Sequence, residues 1–221
     1  MTKVIERERA IQLRSQGRSY GDILKEVHVS KSTLSLWLRQ HPLSDQQISK
    51  IKSSKAIKIE RYIRVMRARR LKKLESYYEE EKLKWLPMSK RELFYAGLFL
   101  YWGEGNKASR HTISINNTDP SVVKFALYWM TKSLSFPKSK VRVFMHLYDD
   151  MDIREEVIFW SKTLALPLKQ FSRPYIKKST RVGVTQKGYN HGTCGVRVDH
   201  TPTKERIIMA IKAISENFDI I

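Results

Sequence analysis

A single cysteine, Cys194, stands in 221 residues, which excludes an intramolecular disulfide framework and fits a reducing interior. Long apolar runs are missing as well. The nine largely apolar residues Phe94 to Trp102 are about half of what a membrane span needs, so they read as a buried helix core. The polar start Met1 to Arg9 carries neither a lipidation signal nor the pattern of a cleavable leader. Acidic residues are scarce beside basic ones, 22 against 42, leaving a formal net charge of +20. A surface that only needed solubility would mix its signs, so this imbalance points to a polyanionic partner. The expectation is double-stranded DNA in a cytoplasmic, nucleoid-associated setting, with no membrane. The length has room for one ordinary domain and a small one.

Residues 1–43 form the first expected unit. Ile5, Ala10, Ile11 and Leu13 mark one amphipathic helix, Gln16 to Ser19 a turn, and Tyr20 to Val27 a second helix with Ile23, Leu24 and Val27 inward. A third helix follows Ser30 as N-cap and turns Leu34, Trp37 and Leu38 inward. The run Val29-Ser30-Lys31-Ser32-Thr33-Leu34-Ser35-Leu36-Trp37-Leu38, with the turn Gly17 before it, resembles the resolvase and homeodomain-like helix-turn-helix family. That resemblance implies a third helix in the major groove. Lys31, Ser32, Thr33 and Ser35 would then face bases, with Arg39 on phosphate.

Residues 44–88 read as a basic helical linker. Pro42 closes the unit before it, and Ser44 with Gln47 has the form of a capping box. No Gly or Pro interrupts the chain from there to Lys84. Lys and Arg recur every third residue from Lys52 to Lys73, including Arg61, Arg64 and Arg67, so positive charge spirals around the helix and suits phosphate contact. A continuous helix here would span roughly 55 to 60 Å. Ile59, Ile63, Met66, Leu74 and Tyr77 keep a near-heptad spacing that permits a dimer seam, with Arg70 interrupting it. Glu75 and Glu79 to Glu81 reverse the sign, and Trp85-Leu86-Pro87 marks the next boundary.

Residues 89–221 read as a mixed α/β domain, making the whole chain α+β. Ser89 to Glu92 is a second capping box, opening a helix that carries the apolar run to Glu104, where Gly105 is the expected stop. Strands are expected at His111 to Asn116, Val141 to Leu147, Gln170 to Lys177 and Thr193 to His200. Helices are expected at Ser121 to Leu134, Ile153 to Leu164 and Thr203 to Asn217. A carboxylate at the negative end of a helix is poorly placed, and a bound divalent cation would relieve Glu104.

Ala96-Gly97-Leu98 and then Gly103-Glu104-Gly105, followed by a strand and a helix opened by Asp119, resemble the LAGLIDADG homing endonuclease family. The two parts stand two residues further apart than in that family. The likeness implies that Glu104 ligates Mg²⁺ beside a scissile phosphate of duplex DNA, and that a homodimer supplies the second acid. Lys107 would offset negative charge, and His146 would handle a proton or a phosphate. The alternative is a sequence-specific regulator that uses this domain only as a DNA clamp, without catalysis.

Other constellations carry less. Asp149, Asp150 and Asp152 fit a turn and a helix cap before Ile153 better than a ligand set. His191, Cys194 and His200 have zinc-like spacing but lack an evident fourth ligand. The run with Arg173, Lys177 and Arg181 alternates bases with apolar or small residues, as a basic surface on a sheet would.

Overall fold

Three short helices form where the apolar spacing predicts them, in a computed structural model that describes residues 4–178 and 191–217. They are α1 (Val4–Ser15), α2 (Tyr20–Glu26) and α3 (Lys31–Trp37). Ala10, Leu13, Ile23, Val27, Leu34 and Leu38 meet in one buried cluster, with Trp37 half-buried at its edge. Gly17 makes the first turn at a φ of +87°, a conformation that costs other residues energy. Ser19 and Ser30 cap α2 and α3 by accepting from the amides of Asp22 and Thr33. The Arg181 expected on the basic surface lies outside the described residues.

The segment after Pro42 is not one helix. The Ser44–Gln47 capping box forms in full, yet it opens only the short α4 (Asp45–Ser49). Residues 50–53 break the rod, and Ser53 caps a new start for α5 (Ser54–Trp85), whose 32 residues give about 48 Å. Three serines, Ser49, Ser53 and Ser54, lie in or beside this break, and serine bonds its own backbone more readily than it extends a helix.

Nor is α5 a free linker, because the first compact unit runs to Leu86 and the second begins at Pro87. Arg14 of α1 grips Glu60 of α5 with two parallel bonds, 2.9 and 2.8 Å, and both side chains are only 3 % exposed. The guanidinium also donates to the carbonyls of His41 (2.9 Å) and Arg18 (3.1 Å), while the Tyr20 amide donates to Glu60 (3.3 Å). Both buried charges are thereby hydrogen-bonded, the condition under which such a pair is tolerated. Past Ala68 every residue of α5 is exposed.

The second unit places four helices on one face of a four-stranded sheet. Its elements are α6 (Lys90–Glu104), β1 (Thr112–Asn117), α7 (Pro120–Lys132), β2 (Arg142–Tyr148), α8 (Ile153–Leu164), β3 (Tyr175–Lys177), β4 (Thr193–Asp199) and α9 (Thr201–Asn217). The strand order is β1-β4-β2-β3, with β4 antiparallel to both neighbours and β3 parallel to β2. Ile113, Ile115, Val143, Met145, Leu147, Cys194, Val196 and Val198 point into a core with Leu98, Tyr101, Trp129 and Trp160. β3 is shorter than the strand expected from Gln170, since residues 168–170 form a turn of 3-10 helix and Pro174, without an amide hydrogen, cannot join a ladder.

Gly97 of α6 and Gly105 at its C-cap answer to close approach. A Cβ on Gly97 would come within 2.0 Å of the Trp129 ring, and one on Gly105 within 2.4 Å of the Tyr101 ring and carbonyl. The expected left-handed stop at Gly105 is therefore corrected: its backbone is extended, φ −78°. Three helices carry an aromatic–Trp pair within an apolar run, Tyr101–Trp102, Tyr128–Trp129 and Phe159–Trp160, which the sequence assigns to the core; one member of each is only partly buried or exposed: Trp102, Phe159 and, at 51 %, Tyr128.

Three substitutions test this packing. Glu60→Ala leaves the Arg14 charge buried without its partner and should destabilise the first unit by about 3 to 5 kcal/mol in urea unfolding. Gly97→Ala should cost the second unit about 1 to 3 kcal/mol by overpacking, while Gly103→Ala, where nothing lies within 4 Å of a new Cβ, should be nearly neutral.

Candidate nucleic-acid interface

The outward side of α3 is the first candidate surface. Lys31, Ser32, Ser35 and Arg39 are exposed, each four or fewer residues from the next along one short helix and the 3-10 turn that ends it. The Ser30 hydroxyl sits 2.8 Å from the hydroxyls of Ser32 and Thr33, so Thr33 is part of the cap as well as of the surface. Sequence reasoning missed Leu36, which is 60 % exposed on the same helix. An apolar side chain on a polar, cationic face suits a thymine methyl, and its signal was the absence of any core partner for it in the helical pattern.

Along α5 the expected phosphate contacts separate. Arg61 is exposed and Arg67 half-buried. Arg64 is held within the chain, ion-paired with Asp45 and donating to the Leu43 carbonyl at 3.0 Å, and so it is removed from the set of free phosphate contacts. Its role is to tie α4 to α5.

The second unit has its own candidate face, the side of the sheet opposite its helices. Arg142, Phe144, His146 and Tyr148 alternate with the buried residues of β2, and the register sets Tyr175 beside His146 and Lys177 beside Tyr148. Arg197 of β4 joins Arg142 across the next ladder. The rings of Phe144, His146 and Tyr175 run in sequence, with centroids 6.1 and 5.6 Å apart. Burial first, and then the Lys177 charge, hold His146 below its usual value. Its imidazole is therefore neutral near pH 7. Arg173 is exposed just before β3. Bases and aromatic rings thus share one face, a pattern suited to a nucleic-acid backbone.

Glu104 ends α6 in solvent, making no hydrogen bond or ion pair with any described residue. The turn after it is firmly built. Gly105 bridges to Ile115, and the Asn106 amide donates to the Ser114 carbonyl at 3.0 Å. Tyr101 and Lys204 both donate to the Asn106 carbonyl, Lys204 at 2.5 Å, and Lys204 also bonds the Tyr101 hydroxyl. Lys204, from the first turn of α9, is 2 % exposed and was not anticipated. A lysine in a polar helix start reads as solvated, and only the fold reveals the carbonyl beneath it. Burial, with Lys107 nearby, lowers its pKa, and burial raises that of Tyr101 to about 12. Lys107 turns back to the Gly103 carbonyl, 3.4 Å away, at the negative end of the α6 dipole.

Glu104 and Lys107 are therefore neighbours, but His146 is not. Glu104 leaves α6 beside β1, and β4 separates β1 from β2, a distance across the sheet of about 10 Å. No group of three or more His, Cys, Asp or Glu that could hold a metal ion occurs among the described residues. Mg²⁺ takes six oxygens and binds through one or two carboxylates with substrate phosphates, whereas one chain offers Glu104 alone here. The described residues of a single chain do not make up that site, so no hydrolytic step is derived through it.

The remaining candidates resolve into structure. His191 bonds Glu156 at 2.8 Å and stacks on Phe159, His200 bonds Thr203 at 2.8 Å, and Cys194 is fully buried, so the zinc-like spacing does not converge. Asp152 caps α8 through the Glu155 amide, and Asp119 caps α7 through that of Ser121. Among the described residues no helix is long and apolar enough to cross a membrane.

Comparison with known protein families, curated proteins and solved structures returns no match.

Two outcomes follow. Lys204→Met removes the donor under Asn106 and should destabilise the second unit by about 1 to 3 kcal/mol, shifting the amide resonances of residues 105–109 more than those of β2. For His146 the folded pKa lies below the unfolded value of 6.5, so its contribution is present above pH 6.5 and is lost as pH falls through the folded value. Histidine NMR titration should place its midpoint below the unfolded value of 6.5, and Lys177→Gln should move it upward.

Proposed function

We propose that this chain binds duplex DNA, with the three-helix unit acting as a helix-turn-helix reader whose α3 enters the major groove. One observation carries the reading: α3 turns Leu34 into its own core and presents Lys31, Ser32, Ser35, Leu36 and Arg39 outward. Lys31, the hydroxyls and the apolar Leu36 contact base edges while Arg39 holds phosphate. The net charge of +20 supplies the sequence-independent attraction, which salt weakens. The basic, ring-lined sheet face of the second unit adds a clamp on the backbone.

A selection from random duplex DNA followed by binding titration tests this. Ser35→Ala with Leu36→Ala should relax sequence preference at one or two base pairs, each worth about 1 to 3 kcal/mol. Arg39→Ala should weaken binding to all sequences and flatten the salt dependence by about one charge. Unchanged affinity and preference in both variants would remove α3 as the reader.

A second reading, a LAGLIDADG-type endonuclease working as a homodimer, is favoured by the outer side of α6. Phe99 is 48 % exposed and stacks on Trp102, and Gly103 is open, so a second α6 could approach closely there and bring a second Glu104. Gly97 does not contribute to that side, being filled by Trp129. Nicking of supercoiled plasmid that requires Mg²⁺ and is lost in Glu104→Ala, with binding retained, is the expected result of this reading. Equal behaviour of wild type and variant leaves the clamp.

A further inference from the structure

We infer that the exposed half of α5 is an antiparallel pairing surface for a second copy of this chain, closed at each end by Trp85 of one copy seating in a groove of the other. This inference depends on neither DNA binding nor cleavage.

The starting point is a helix face that changes partner along its length. At 100° per residue, Glu60, Ile63, Arg64 and Arg67 share one face of α5 with Leu71, Leu74, Tyr78 and Trp85. The first four lie against the remainder of the first unit, where Glu60 meets Arg14 and Arg64 meets Asp45. Among the described residues the rest are covered by no other element, only by Lys82 over the Tyr78 ring and Lys84 over the Trp85 ring of the same helix: Leu71 is 62 % exposed, Leu74 49 %, Tyr78 60 % and Trp85 62 %. Leu71, Tyr78 and Trp85 fall seven residues apart with Leu74 between, the a and d spacing of a coiled coil, and Glu81 takes the next d position. This seam differs from the one expected from Ile59, Ile63 and Met66, and Arg70 lies on its flank rather than in it.

Charge decides the direction. The half of α5 before Lys73 is almost wholly basic, and the acids Glu75, Glu79, Glu80 and Glu81 all follow it. Two copies side by side in parallel would set acid on acid and base on base. Run antiparallel, with Leu74 packed on Tyr78 of the other copy, the helices set the acidic stretch of each level with the basic stretch of the other, Glu79 with Lys73 and Glu80 with Lys72. Attraction between the oppositely charged halves, against repulsion in the parallel arrangement, selects this direction.

The same register explains a cavity. Where α5 leaves the three-helix unit, a groove of about 310 Å³ lies between α4 and α5, lined by Leu43, Ile48, Ile63 and Leu71 with Arg64 and Arg67 at its rim. Packing Leu74 against Tyr78 brings Trp85 of the second copy opposite Arg67, at the mouth of this groove. An apolar slot rimmed by guanidinium groups is complementary to an indole, whose face attracts cations. Twofold symmetry repeats the contact at the other end, so the interface is isologous and closes as a dimer.

The test uses the full-length chain without DNA. Sedimentation equilibrium should give twice the chain mass at tens of micromolar, and Leu74→Glu combined with Trp85→Ala should raise the dimer dissociation constant at least about tenfold, or 1.4 kcal/mol. Direction is read by disulfide trapping: Leu71→Cys mixed with Glu81→Cys should crosslink to each other, while either alone should not. Crosslinking of Leu71→Cys to itself, a monomeric wild type, or a dimer indifferent to the double substitution would each overturn the inference. Loss of DNA binding or of cleavage in the separate α3 and Glu104 variants would leave these measurements untouched.

Discussion

The bidentate contact between Arg14 and Glu60 determines what kind of molecule this is. Without it, a three-helix cluster with six fully buried apolar residues would be held to α5 chiefly through α4, by the surface contacts of Arg64 with Asp45 and the Leu43 carbonyl. With it, a guanidinium that also holds the His41 and Arg18 carbonyls joins α1, the loop before α2, the exit of the 3-10 turn and α5 at one point. The three-helix cluster and the first turns of α5 become one body. A charge pair buried this deeply is weak evidence for stability, and its value here is directional: two parallel bonds admit one orientation of α5, where apolar packing would admit several.

That orientation gives meaning to the basic spiral of α5. A sequence of lysines and arginines every third residue has no preferred side, because a step of three falls short of a helical turn. Docking one face against α1 and α4 removes Arg64 from the available charges and leaves Arg61 outward. The fold thus edits a uniform charge run into a surface with a front and a back. In the second unit the sheet does the same work, since strand alternation sends Val143, Met145 and Leu147 inward and Arg142, Phe144 and His146 outward.

Much of this was legible in the sequence, and for local reasons. Every N-cap that was anticipated, at Ser30, Ser44, Ser89 and Asp119, forms, because capping involves residues two or three apart. The helix Ile153–Leu164 and the strand starting at Thr193 appear where periodicity put them. What was hidden depends on residues far apart in the chain. Glu60 reads as one more surface acid until Arg14, 46 positions earlier, is placed beside it, and Lys204 reads as solvated until Asn106 is found beneath it, 98 positions away. Gly105 reads as a stop signal by conformation, whereas the Tyr101 ring is what forbids a side chain there. Glu104 and His146 looked like one set because both are chemically capable, and strand order, which no spacing encodes, puts β4 between them.

The one sulfhydryl has a practical corollary. Cys194 lies in the middle of the sheet, fully enclosed, and desolvation raises its pKa well above the usual thiol range, so the nucleophilic thiolate is both scarce and shielded while β4 stays paired with β1 and β2. Alkylating reagents can reach it only when those ladders part. The rate at which the native molecule consumes such a reagent is then an intrinsic clock for opening of the β-layer, one that requires no added probe and reports on the second unit alone.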